Sequence, residues 1–123
     1  MPKTIGKKRK DEDLVRLIVT TLEDMKAERI VSLDVAHLTS ITDVMIIASG
    51  RSDRHVRAIA DALLERCKAA GHTPLGVEGQ EAGEWVLVDL ADAIVHVMLP
   101  RVREFYNIEN LWDLSAQDQL AER

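Results

Sequence analysis

Aromatic side chains are scarce in this 123-residue sequence, with two Trp, one Tyr and one Phe. Binding single-stranded nucleic acid takes stacking platforms interleaved with a cationic groove, and the body of the chain has too few aromatics and no basic stripe between them. Cysteine is reduced to Cys67, which excludes an intrachain disulfide and suits a reducing compartment. No apolar run approaches the ~20 residues that a membrane helix needs. The opening Met-Pro-Lys-Thr-Ile-Gly-Lys-Lys-Arg-Lys lacks the apolar segment of a secretory signal, so a cytoplasmic protein without membrane contact is expected. His55, His72, His96 and Cys67 are scattered, without the close pairs typical of zinc sites. Neither metal nor cofactor is expected.

What is present is an ordinary globular composition, 46% apolar and 30% charged, at a length that suits one domain with one core. Charge is unevenly placed. Lys3, Lys7, Lys8, Arg9 and Lys10 occupy the first ten residues with no acid among them. Removing these five from the 16 basic residues leaves 11 against 21 acidic ones in positions 11–123, a balance of −10. An acidic body repels a phosphate backbone and attracts basic partners. Three parts are expected: a basic flexible N-terminal arm (1–11), a folded domain (12–114) and a polar C-terminal tail (115–123). Direct RNA contact is expected at most through the arm.

Leu14, Ile18, Leu22 and Met25, with Val15 and Val19 beside them, recur at helical spacing and predict a helix over 13–27. Asp11, Glu12 and Asp13 suit its positive end. Ile30–Val35 reads as a strand, and Val44–Ala48 is a nearly all-apolar run, as in a strand covered on both faces and central in its sheet. Ser49-Gly50-Arg51 breaks that strand. Ser52 or Asp53 caps a second helix with Val56, Ile59, Ala60, Leu63, Leu64 and Cys67 on its inner side, and Gly71 closes it. His55, in its first turn, suits a neutral hydrogen-bonding role. A short edge strand is expected over Thr73–Val77, and Pro100 stops the last strand before one or two short helices over Arg101–Leu114. This order implies an α/β domain with one mixed sheet and helices packed on it, the second helix serving a parallel crossover.

The stretch Glu84–Leu99 reads as two strands joined by a turn at Ala91-Asp92. Strand alternation then sorts the residues. Val86, Val88, Leu90, Ala93, Val95 and Val97 form a small aliphatic face suited to packing under helices. Trp85, Leu87, Asp89, Ile94, His96 and Met98 form the other, whose mixture suits a surface covered by another molecule. Interface anchors favour Trp, Tyr and Arg, with Met as an adaptable filler. The same residues equally suit a floor beneath the terminal helix. His96 is placed to bond Asp89 or Asp43.

Asp43, Ala48-Ser-Gly-Arg-Ser-Asp-Arg-His55, Val77-Glu-Gly79, Trp85-Val-Leu-Val-Asp89, Val95-His-Val-Met98 and Arg103-Glu-Phe-Tyr-Asn-Ile-Glu-Asn-Leu-Trp112 follow one another in the order of a known family. The chain resembles the ribosomal silencing factors RsfS, also called the Iojap or YbeB family, from about Leu14 to Asp113. The resemblance implies a mixed five-stranded sheet in a fold related to the nucleotidyltransferases. It also implies binding to the large ribosomal subunit through universal large-subunit ribosomal protein fourteen. Occupying that surface keeps the small subunit from joining and represses translation when nutrients fall.

The expected ribosomal-protein-binding residues are Trp85, Leu87, His96 and Met98 on the hairpin, extended by Arg103 and Tyr106. In the C-terminal segment, Phe105, Ile108, Leu111 and Trp112 are expected to bury against the sheet. A bare Trp–Met face can also drive a homodimer of the free protein. The alternative is a nucleotidyltransferase-like protein that binds a nucleotide or phosphate at Ser49, Gly50 and Ser52, where a strand turns into a helix. Catalysis would further need paired carboxylates for magnesium on an adjacent strand, and no Asp-x-Asp pair follows. Asp89 and Asp92 are not expected to converge. A non-catalytic binding protein is therefore the expectation.

Overall fold

The computed structural model describes residues 2–112, those before Asp11 by their backbone alone. The tail at 115–123 lies outside the described residues. Among the described residues nine elements follow in order: α1 (Pro2–Asp24), β1 (Glu28–Asp34), β2 (Val44–Ser49), α2 (Asp53–Ala69), β3 (Gly76–Glu78), β4 (Trp85–Asp89), β5 (Ala93–Met98), α3 (Pro100–Tyr106) and α4 (Ile108–Trp112). The five strands form one mixed sheet in the order β1-β2-β5-β4-β3. Only the β2–β5 pair is parallel; the other three are antiparallel.

Helix α1 begins at Pro2, inside the basic segment expected to be a flexible arm. Lys and Arg are strong helix formers and proline suits a first helical position. Asp11, Glu12 and Asp13 consequently lie in the middle of the helix, beyond reach of its N-terminal dipole. Both long helices end in the same way. Lys26 (φ 62°) and Gly71 (φ 92°) take left-handed conformations. The following N–H groups of Ala27 and His72 return to the carbonyls of Leu22 and Cys67 at 2.9 and 2.8 Å, which satisfies otherwise orphaned helix carbonyls. Ser52 is the cap of α2, its side chain accepting from the His55 N–H at 3.1 Å. Edge strand β3 starts two residues later than a strand at Pro74 would, because proline has no N–H for the ladder. Pairing opens with the Leu75 N–H on the Asp89 carbonyl.

The hairpin register is the expected one: Trp85 opposite Met98, Leu87 opposite His96, and Val88 opposite Val95. Ala91 carries the turn at φ 69°. The aliphatic face joins the main core with Leu14, Ile18 and Leu22 of α1 and Val56, Ile59 and Leu63 of α2. The opposite face builds a second core from Val35, Met45, Ile47 and Met98, covered by Ile108 and Trp112 of α4 and Val102 of α3. Helices thus cover both faces of the sheet around its central strand, β5.

Candidate docking surface

The aromatic cluster grows from the first residue of β4. Trp85 is half-buried, and its indole Nε1–H donates to His96 Nδ1 at 2.9 Å across the strand pair. Its ring centroid lies 5.0 Å from that of Tyr106, and Tyr106 meets Phe105 edge-on at 4.9 Å. Tyr106 is 56% exposed and Phe105 79% exposed. Leu87, two residues along the same strand face, is half-buried. A shallow cleft of about 400 Å³ runs between Trp85, Phe105, Tyr106 and the Arg101–Glu84 ion pair at 3.0 Å. Gly79 supports the cluster from behind. At φ 87° a Cβ there would lie 2.0 Å from the Trp85 carbonyl oxygen, so only glycine lets the chain pass so close.

His96 is the floor of this cluster and not part of its surface. Burial pushes its pKa down to about 4, so the ring is neutral near pH 7. Because Nδ1 accepts from Trp85, the ring proton sits on Nε2. The Asp89 carboxylate, one of its two expected partners with Asp43, instead accepts from the Ala91 N–H at 2.9 Å and shapes the turn.

Two further expected contact residues are buried. Met98 has 0% exposure under α3 and α4. Arg103 has 1% exposure; it donates to Glu109 through Nε and to Ser49 Oγ through Nη1 at 2.9 Å. Its Nη2 finds no acceptor among the described residues. The Arg103 hydrogen bond holds the Glu109 carboxyl below its ordinary pKa. Phe105 and Leu111, expected to bury, are exposed. The reason is a break in helical phase. Asn107 adopts φ 50°, ψ 47° and ends α3, so one periodicity does not run from Phe105 to Trp112. The inward stripe of α3 is Leu99, Val102 and Arg103, leaving Phe105 outside.

The groups of the alternative phosphate site at Ser49, Gly50 and Ser52 are engaged in internal bonds. Ser49 Oγ serves Arg103, the Gly50 N–H donates to the Met98 carbonyl at 3.1 Å, and the Ser52 side chain caps α2. The Arg51 N–H donates to His55 Nδ1, while His55 Nε2 bonds the Met25 carbonyl at 2.7 Å, so this ring ties α2 to the end of α1. Carboxylates do converge elsewhere. Ligand atoms of Asp11, Asp43 and Asp92 lie within 4.8 Å of one another, although Asp92 and Asp89 do not pair. Asp43 and Asp92 lead into the parallel neighbours β2 and β5, and the Asp43 N–H donates to the Asp92 carbonyl at 3.2 Å. This cluster and Ser49 sit at opposite ends of β2, roughly 20 Å apart at strand rise. The Gly-Ser turn and the acids therefore do not form one transferase site.

The fold is that of a small α/β domain with a mixed five-stranded sheet, and an exposed aromatic cluster is the kind of surface through which such domains bind other proteins. The chain belongs to the RsfS family: the model of the ribosomal silencing factor during starvation matches residues 8–123. A ribosomal silencing factor RsfS from Chromobacterium violaceum is 48% identical over 101 residues, covering 82% of this chain and 83% of the relative. A mouse protein named for mitochondrial assembly of the ribosomal large subunit is 34% identical over 112 residues, 88% of this chain and 49% of that protein. A crystal structure from C. violaceum superposes with a TM-score of 0.81 at 48% identity, over 82% of this chain and 84% of that one.

Proposed function

We propose that this protein is a non-catalytic ribosomal silencing factor of the cytoplasm that docks on the large ribosomal subunit and sterically prevents the small subunit from joining. The contact is universal large-subunit ribosomal protein fourteen, and the outcome is repression of translation when nutrients are limiting. The observation that carries this reading is the exposed Trp85–Tyr106–Phe105 cluster with Leu87 beside it. Aromatic anchors held by a rigid hydrogen bond lose little entropy on binding and bury large areas. His96, Met98 and Arg103 act beneath the surface by holding Trp85 and α3 in place. The balance of −10 over positions 11–123 favours a basic partner. The name of the mouse relative points to the large subunit. In the free protein the same cluster can close on a second copy, and that dimer must open for docking.

The reading is tested with purified subunits. Added to separated subunits, the protein lowers the yield of joined ribosomes on a sucrose gradient. Trp85→Ala and Tyr106→Ala, still folded by circular dichroism, each weaken large-subunit binding by about tenfold or more, the loss expected on truncating an anchor. Full blocking by both variants would remove the aromatic cluster from the site.

A further inference from the structure

A second surface lies on the other side of the sheet. Helices α1 and α2 pack over the aliphatic face of β2, β5 and β4, and α1 also touches β1, whose Ile30 joins the main core; farther along edge strand β1, at Ser32 and Asp34, that face is left uncovered. Ser32 and Asp34 stand opposite Ile46 and Val44 in the β1–β2 register. Ile46 is in the core under the helices, whereas Ser32 and Asp34 are exposed. Between them and α1 runs a groove of about 900 Å³. Glu12, Val15, Val19 and Glu23 line its helical wall. Their spacing of three and four puts them on one stripe of α1, roughly 16 Å long. Val15, Val19 and Val44 are half-buried and form an apolar floor. Glu12, Glu23 and Asp34 are exposed at its rim, opposed by Arg16.

We propose that this groove receives a cationic amphipathic helix of a partner protein, seated beside α1 over β1 and independent of the aromatic cluster. A helix packs on its neighbour at 8–10 Å, and the stripe gives it two to three turns of contact. Its apolar side meets Val15, Val19 and Val44, and Lys or Arg side chains at its flanks meet Glu12, Glu23 and Asp34. Charge complementarity selects this occupant: an acidic rim orients a basic helix and repels RNA and anionic lipid.

The test titrates isotope-labelled full-length protein with a synthetic 18-residue peptide of Leu and Lys, the Leu at helical spacing, and follows amide resonances by NMR. Shifts concentrate at Val15, Val19, Ser32 and Asp34, and the paired variant Glu23→Lys/Asp34→Lys, with an otherwise unchanged spectrum, binds about tenfold more weakly. Shifts centred on Phe105 and Tyr106, equal binding of a peptide of the same composition in scrambled order, or unchanged affinity in the paired variant overturn the proposal. It is equally overturned if an oligouridylate moves the same resonances. Concentration-dependent shifts of these residues without peptide would instead assign the groove to a second copy of the chain.

Discussion

The indole of Trp85 is exposed enough to meet a partner and anchored enough not to wander, and His96 is the residue that reconciles the two. Its ring accepts the indole N–H only while neutral. Protonation would remove the acceptor and place a charge in a site that is 6% exposed. The folded pKa of about 4 lies below the ordinary 6.5, so between these values the unfolded chain binds a proton that the folded one does not. Stability is therefore full above about pH 7, falls as pH drops through this window, and levels off below about pH 4. Urea denaturation at pH 7.5 and pH 5 should differ by about 2 kcal/mol on this account. His96→Gln, which keeps an acceptor for Trp85 without titrating, should flatten the difference. Arg103 allows a second residue-level prediction. It is a buried cation whose charge partner is Glu109. Glu109→Ala strands that guanidinium and should cost about 3 kcal/mol. Arg103→Met, which removes the charge and keeps an apolar stem, should cost less in the same measurement.

At the scale of elements, the hairpin and the C-terminal helices were legible to different degrees. Alternation alone sorted the two faces of β4 and β5, because every strand residue must point up or down and the aliphatic set is unbroken. The C-terminal segment carries no comparable rule. A single left-handed residue, Asn107, resets the phase between α3 and α4, and asparagine, which tolerates that conformation, marks a helix end less sharply than glycine does. The exposed position of Phe105 follows from this break. Asn107→Gly should leave stability nearly unchanged. Asn107→Val should lower it by about 1–2 kcal/mol, the cost of a left-handed conformation for a branched residue, and thermal unfolding of the two variants checks this. If α3 and α4 joined into one helix the cost would be absent.

For the whole molecule, the decisive property is charge. A body with an excess of acids over bases meets a basic partner by long-range attraction, which sets the encounter rate more than the final affinity. Stopped-flow association with large subunits should therefore slow by about tenfold or more between 50 and 300 mM monovalent salt, with a smaller change in dissociation. A rate insensitive to salt would assign docking to the aromatic cluster alone. Residues far apart in sequence also meet at this scale. Asp11, Asp43 and Asp92 come together because α1 crosses the start of two parallel neighbours, and no local spacing contained that information.

The order of elements, the hairpin register, the aliphatic core face and the acidic balance were determined by the sequence, because each depends on local periodicity or on counting. The tertiary structure alone decided which side of the mixed face remained open. Met98, His96 and Arg103 have the chemistry of contact residues, but α3 and α4 close over Met98, Trp85 covers His96, and Arg103 turns inward from α3 to Ser49 and Glu109. Phe105 has the chemistry of a core residue and is left outside. Side-chain type states what a residue gains by burial; which residues are buried depends on where the neighbouring helices end, and that is a property of the packed molecule.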